Sequence, residues 1–259
     1  VQCLVGSEMC IRDSNNRGER KNLIHQTKSA WLQTLTSLDH EDDDPGTVWN
    51  KEARERDADR MSPRQAWRAI QAGIPDDAII SSDIGNNCAI GNAYPTFEKG
   101  RKYLAPGLFG PCGYGFPSIL GAKIGCPDTP VIGFAGDGAF GISMNEMSSC
   151  ARKEWPAITM VIFRNYQWGA EKRNSILWFD DNFVGTELDP ELSYAKVATA
   201  CGLKGVTVKT MEETTSAIKQ SCEDQKQGIT TFIEVILNQE LGEPFRRAVS
   251  YTHLRAHET

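Results

Sequence analysis

The segment Gly136-Asp137-Gly138-Ala139-Phe140-Gly141 follows an apolar run and has the outline of a phosphate-binding glycine loop. As the dinucleotide fingerprint G-x-G-x-x-G it is a poor fit. That fingerprint needs an acidic residue at the end of the next strand to hold a ribose, and the next apolar run ends Phe163-Arg164-Asn165. It also places a pyrophosphate where Asp137 stands. A carboxylate about 4 Å from a phosphate charge is repelled by about 4 kcal/mol at an effective dielectric of about 20. A divalent cation between the two reverses the sign. Magnesium takes one or two protein oxygens and completes its octahedron with phosphate and water. The chemistry is therefore that of a metal-bridged diphosphate with Asp137 as one ligand. Residues 139–164, 26 in all, are enough for one helix and one strand. That spacing sets Asn165, with its neutral side-chain oxygen, beside Asp137 as the second ligand.

The elements that must position these residues are legible in the hydrophobic pattern. Ser62-Pro63-Arg64-Gln65 predicts a capped helix start, with Ala66, Trp67, Ile70 and Ile74 as its apolar face. Strands are predicted at 78–82, 130–136, 157–163, 205–208 and 230–237, and helices at 21–38, 117–125, 143–153 and 193–202. Thr210-x-x-Glu213 opens a further helix, to about 226. Strands without polar alternation are buried on both faces, which calls for a parallel sheet covered by helices. The fold class is α/β: a doubly wound parallel sheet flanked by helices, binding ligands beyond the carboxyl ends of its strands.

The boundaries follow composition. Residues 61–240 form the binding domain and 241–248 a C-terminal tail. Residues 15–60, including the acidic HEDDDPG at 40–46, read as the end of a preceding domain and a linker. Residues 1–14 and 249–259 continue no neighbouring pattern and resemble translated sequencing-adapter read-through, so they are set aside.

Bulk properties exclude other chemistries. Of 259 residues, 40% are hydrophobic and 24% charged, as in ordinary globular proteins. A net charge of −6 leaves no basic surplus for nucleic acid. No run of about eighteen apolar residues is present to span a membrane. The 8 cysteines form no C-x-x-C, and reduced thiols in a cytoplasm are expected. The four histidines, His25, His40, His253 and His257, all lie outside 41–252, so a Ser-His-Asp or Cys-His mechanism has no base in the body of the domain.

A GDG followed at this spacing by Asn after an apolar strand resembles the thiamine-diphosphate motif, and the resemblance implies thiamine diphosphate and Mg2+ as cofactors. Asp137, Asn165 and the backbone carbonyl of Gln167 would hold the metal. Gly85, Asn86 and Asn87 follow strand 78–82, where the superfamily's loop contacts diphosphate. Gly110, Pro111 and Cys112 open GPCGYGFP, which matches the loop that meets the aminopyrimidine. There the Gly110 carbonyl would accept from the 4′-amino group. Cys112 stands where a larger apolar residue props the cofactor bent. Gly136, Gly138, Ala139, Phe140 and Asn165 complete the implied cofactor contacts.

The segments GPCGYGFPSILGAKIG, GDGAFGISMNEM, FRNYQWGAEKRN, LWFDDNFVGTEL and IEVILNQELGEPFRR resemble the sulfoacetaldehyde acetyltransferase family, over about residues 16–248. The resemblance implies conversion of sulfoacetaldehyde and phosphate to acetyl phosphate and sulfite, in a homo-oligomer, dimer or tetramer. The anionic substrates need cations, and Arg164, Lys172, Arg173, Arg246 and Arg247 are candidates, with Trp168 as a cavity wall. The glutamate that activates the cofactor in this superfamily lies on a pyrimidine domain that the chain is expected not to contain. No glutamate here is carried over to that role, and the chain alone is expected to be inactive. Three other readings stand beside this one: an acetolactate synthase or decarboxylase, a NAD-binding dehydrogenase, and a non-catalytic cofactor domain.

Overall fold

Strands Val131–Gly136, Thr159–Arg164 and Thr231–Ile236 are apolar on both sides because both faces of their sheet are covered. The computed structural model describes residues 48–91, 94–95, 102–106, 109–152, 154–179 and 182–242. By its contacts the chain divides into two units, Val1–Asp44 and Pro45–Thr259, and the described residues all belong to the second. The expected helix at 21–38, the acidic run at 40–46, both odd termini, and Arg246 and Arg247 lie outside the described residues.

In chain order the elements are α1 (Val48–Arg56), α2 (Pro63–Gln71), β1 (Ile79–Ser82), α3 (Asn86–Gly91), β2 (Tyr103–Leu104), α4 (Gly115–Gly125), β3 (Val131–Gly136), α5 (Asp137–Ser143), α6 (Met147–Cys150), β4 (Thr159–Arg164), α7 (Gly169–Trp178), α8 (Tyr194–Ala200), β5 (Lys204–Val208), α9 (Met211–Lys226) and β6 (Thr231–Ile236). The six strands form one all-parallel sheet in the order β2-β1-β3-β4-β6-β5. The α/β fold with helices on both faces is thus as expected. Successive side chains of a strand point to opposite faces, and the two cores sort accordingly. Phe134, Val161, Phe163, Ile233 and Val235 pack with Trp67, Ile70 and Ile218 beneath α2 and α9. Val131, Ala135, Met160, Ile162 and Phe232 pack with Phe116, Phe140 and Tyr194 beneath α4, α5 and α8.

Both expected capping boxes are present. Ser62 accepts from Gln65 N while the Gln65 side chain takes Ser62 N, and Thr210 pairs with Glu213 in the same way. The segment predicted as a helix from 143 to 153 differs. Helix begins at Asp137, immediately after β3, and passes through a 3-10 turn at Met144–Glu146 into α6. Glycines 138 and 141 weigh against helix in an isolated segment. Here packing overrides that preference: a β-carbon on Gly138 would lie 2.8 Å from the Trp168 indole, so only glycine admits the ring. Residues 48–60, part of the segment 15–60 read from sequence as the end of a preceding domain and a linker, carry helix α1. α1 is bound to the far end of the domain: Asn50 exchanges hydrogen bonds with Leu241 (2.7 and 2.9 Å), and Arg54 pairs with Glu240 at 3.1 Å.

Candidate cofactor and metal site

The parallel register sets Gly136 beside Phe163, so the two chains leave the carboxyl edge of the sheet together at Asp137 and Arg164-Asn165. Asp137 is 1% exposed. Its Oδ1 accepts from Gly138 N at 3.0 Å. Its Oδ2 accepts from Tyr166 N at 2.7 Å and Arg164 Nη1 at 3.1 Å. Burial pushes its carboxyl up to about 6, and the Arg164 charge opposes the shift. Asn165 is equally buried, and its side-chain Nδ2 has no hydrogen-bond partner among the described residues. Tyr166 carries the only positive φ outside glycine among the described residues, 61°. That conformation is costly for a bulky residue and is found where surrounding contacts enforce it. Here it aims the Tyr166 amide at Asp137 and holds the ring against the guanidinium of Arg164, 4.3 Å from its centroid, and of Arg60, 4.9 Å away.

Two further loops reach this edge. Asp83, at the end of β1, is buried, and its carboxylate accepts from Ile84 N (2.8 Å), Gly113 N (3.1 Å) and Gly115 N (2.7 Å). It stitches the 83–87 loop to the 110–116 loop. Positive φ at Gly85, Gly110 and Gly113 lets both loops turn. Gly110 faces Ile84, and Gly113 faces Ile142 and the Ala139 carbonyl. The three expected loops therefore converge at one edge.

The predicted residues fare differently within this frame. Gly138 and Ala139 are buried, Gly136 and Cys112 half-buried, and Pro111 exposed. Burial raises the Cys112 thiol above its ordinary value, which suits a packing role over a nucleophile. The Phe140 ring belongs to the core, 5.4 Å from Phe116 and 5.1 Å from Tyr194 between centroids, which leaves its backbone for any ligand. Asn86 uses its amide on the chain end, donating to the Glu240 carbonyl (3.1 Å) and accepting from Gly242 N (2.7 Å). The Asn87 carbonyl accepts from Trp67 Nε1 at 2.8 Å. Gln167 is buried, with its side chain engaged by Gln239 and Lys172.

Two of the expected anion-binding cations are engaged by other groups. Arg164 is 1% exposed and held by Asp137, by the carbonyls of Asp189 and Leu192 and by the Tyr166 ring. Lys172 is turned inward: its ammonium bonds Gln167 and Glu187 and sits over the rings of Trp49 and Phe183. Removing Arg164 from Asp137 would strand a buried charge, and the Lys172 ammonium, itself buried, is already committed to Gln167 and Glu187. Arg173 is half-buried on α7. Trp168 lies against Gly138 and lines a cavity of about 390 Å³ with Glu171, Asn174, Ser175, Phe179 and Thr186.

Residues 83–235 match the family model described as thiamine pyrophosphate enzyme, C-terminal TPP binding domain. The chain belongs to the thiamine pyrophosphate enzymes. It is 77% identical over 232 residues to a probable sulfoacetaldehyde acetyltransferase of Rhizobium meliloti, covering 90% of this chain and 39% of that protein. It is 71% identical to a sulfoacetaldehyde acetyltransferase of Roseovarius nubinhibens, covering 90% of this chain and 38% of that one. The chain thus spans about two-fifths of the length of these relatives. Among solved structures, the thiamine diphosphate-dependent 4-hydroxybenzoylformate decarboxylase of Rhodococcus jostii RHA1 superposes with a TM-score of 0.63 at 27% identity, over 71% of this chain and 34% of that one. The sequence expectation of this family is met. Among the described residues no helix is long and apolar enough to cross a membrane.

Sequence reasoning missed Asp83 as the stitch between loops, and the partnership of Arg164 with Asp137. A signal existed for each. Asp83 ends an apolar strand at the ligand edge. Arg164 and Glu234 are the charged residues of two otherwise apolar strands, where charge is rarely buried without a partner.

Proposed function

We propose that the protein carrying this chain is a thiamine-diphosphate- and Mg2+-dependent acetyltransferase that converts sulfoacetaldehyde and phosphate to acetyl phosphate and sulfite. The observation that carries the reading is the 77% identity to a probable sulfoacetaldehyde acetyltransferase across 90% of the chain. The site's donor set fits the metal. A carboxylate offers about four acceptor positions, and Asp137 uses three, which leaves one on Oδ1. Among the described residues no cluster of three or more His, Cys, Asp or Glu could hold a metal, which disfavours zinc and suits a cation that takes few protein oxygens. The unpaired Asn165 Nδ2 fits the diphosphate, since a buried donor at a strand end calls for an acceptor.

On this reading Asp137, Asn165 and the Gln167 carbonyl hold magnesium. Gly85–Asn87, Gly110–Cys112 and Gly136–Phe140 surround the cofactor, with Asn86 acting through its backbone. When bound, thiamine diphosphate supplies the carbon nucleophile and electron sink for cleavage beside the aldehyde. The chain's residues bind and orient it, and the Trp168 wall excludes water on one side. Arg173 and Arg246 are the cations proposed for sulfonate or phosphate. The active form is proposed to be a homo-oligomer.

The test is product analysis on the full-length protein with thiamine diphosphate, Mg2+, phosphate and sulfoacetaldehyde. Sulfite and acetyl phosphate should appear in equal amounts. Carbon dioxide from pyruvate, with sulfoacetaldehyde untouched, would keep the family and refute this reaction.

A further inference from the structure

Arg164 is the one charged residue of β4, and it has no freedom of orientation. Nη1 donates to Asp137 Oδ2 at 3.1 Å. Nη2 donates to the carbonyls of Leu192, at 2.9 Å, and Asp189. Nε lies 3.8 Å from Glu234 Oε1, an ion pair too long for a hydrogen bond. The guanidinium plane is flanked by the rings of Tyr166 and Tyr194, 4.3 and 5.5 Å away. Glu234 is itself fixed by Ser193 Oγ (2.6 Å), Tyr194 N (3.1 Å) and Thr207 Oγ1 (3.2 Å). The result for Asp137 is asymmetry: Oδ2 is saturated by Arg164 and Tyr166 N, while among the described residues Oδ1 meets only the adjacent Gly138 amide.

We propose that Arg164 is a positioning residue that sets the cation selectivity of the site. By occupying Oδ2 it locks the carboxylate plane and presents Oδ1 alone, in one orientation, to the metal. The proposal rests on the reading that Asp137 ligates magnesium. Magnesium demands near-ideal octahedral geometry at short distances, whereas calcium accepts six to eight oxygens in loose arrangements. With the Arg164 bond gone, the carboxylate keeps only the Tyr166 and Gly138 amides and is freer to tilt, which should weaken magnesium more than calcium. A lysine retains the charge but cannot span Asp137 and the two carbonyls with a planar fork.

The experiment uses the full-length protein with saturating thiamine diphosphate, titrated separately with Mg2+ and Ca2+. Binding is read from tryptophan fluorescence, since the Trp168 indole lies against Gly138. In Arg164→Lys the half-saturating Mg2+ should rise at least about tenfold, the lower end of effects from residues behind a metal ligand, while that for Ca2+ moves less than about threefold. A parallel loss of both cations, or no loss, overturns the proposal, because a merely structural ion pair would not change the ratio. Asp137→Ala should abolish the response to both. If it leaves both intact, the assignment of Asp137 fails and the proposal falls with it, a result distinguishable from parallel loss in the lysine variant. Should Arg164→Lys fail to fold by thermal melting, Glu234→Gln is read instead. It removes the charge behind the guanidinium and should weaken Mg2+ relative to Ca2+ by about threefold, a partial form of the same effect. An unchanged ratio there overturns the proposal.

Discussion

Replacing Asp83 with asparagine tests whether one buried carboxylate holds two cofactor loops together. Asp83 is 3% exposed, and it accepts two amides on Oδ1 and one on Oδ2. An asparagine can keep only one side. In the better orientation its oxygen retains Ile84 N and Gly113 N, and its NH2 faces the Gly115 amide across 2.7 Å, donor against donor. A buried donor left unpaired costs about 1–3 kcal/mol, and the two surviving bonds each weaken by about 0.5–1 kcal/mol once the acceptor is neutral. Burial raises the Asp83 carboxyl above its ordinary value, so losing the charge returns part of that cost. The net expectation is a loss of about 1–3 kcal/mol. Gly115 cannot retreat easily, because the Phe134 carbonyl and the Asp83 backbone already crowd it at about 3 Å from where a β-carbon would lie. The strain should therefore pass to Gly110–Gly113. Urea unfolding of the full-length variant reads the stability, and titration with thiamine diphosphate reads the loop. Cofactor affinity should fall together with stability. Wild-type stability with wild-type affinity would refute the stitch; lost stability with unchanged affinity would show that the 110–116 loop does not meet the cofactor.

Two other outcomes follow from the same geometry. In Gly138→Ala the new methyl lies 2.8 Å from the Trp168 ring, so the indole must move; overpacking of this kind costs about 1–3 kcal/mol, and the tryptophan emission should shift, with an unshifted spectrum counting against the contact. For Asp137, whose carboxyl rises from 3.8 to about 6, the folded state holds the proton more tightly than the unfolded chain between those values. Asp137 should therefore add to the stability of the metal-free protein as pH falls through that window, against the opposite contribution of Asp224, while Mg2+ affinity, which needs the anion, should weaken towards tenfold per unit below about pH 6. A Mg2+ titration flat between about pH 7 and 5 would contradict it.

Much of the fold was legible because its signals are local. The apolar runs of β3, β4 and β6 and the capping boxes at Ser62 and Thr210 name their own structures. The short β2 and helices α3, α5 and α7 were not, because each depends on partners distant in sequence. α3 has Asn86 tied to residues 240 and 242, and α5 is shaped by Trp168. At the site, the neighbouring positions of Asp137 and Asn165 could be read from spacing alone, since one crossover delivers both strand ends. The fate of the cations could not. Whether Lys172 faces an anion or buries itself against Glu187, Trp49 and Phe183 is decided by side chains up to 123 positions away.

The place of β6 in the sheet has a consequence for how the domain assembles. It is the last strand in the chain, yet it lies between β4 and β5, with Ile233 in register with Val161 on one side and Val206 on the other. Until residues 231–236 arrive, β4 has no neighbour on one side and β5 has no neighbour at all, and open parallel edges of this kind invite pairing with other chains. The same strand brings Glu234 to the back of Arg164. Closure of the sheet and delivery of the guanidinium's second counter-charge are one event, so a nascent chain still lacking β6 exposes two sticky edges and holds an arginine paired with the Asp137 carboxylate alone.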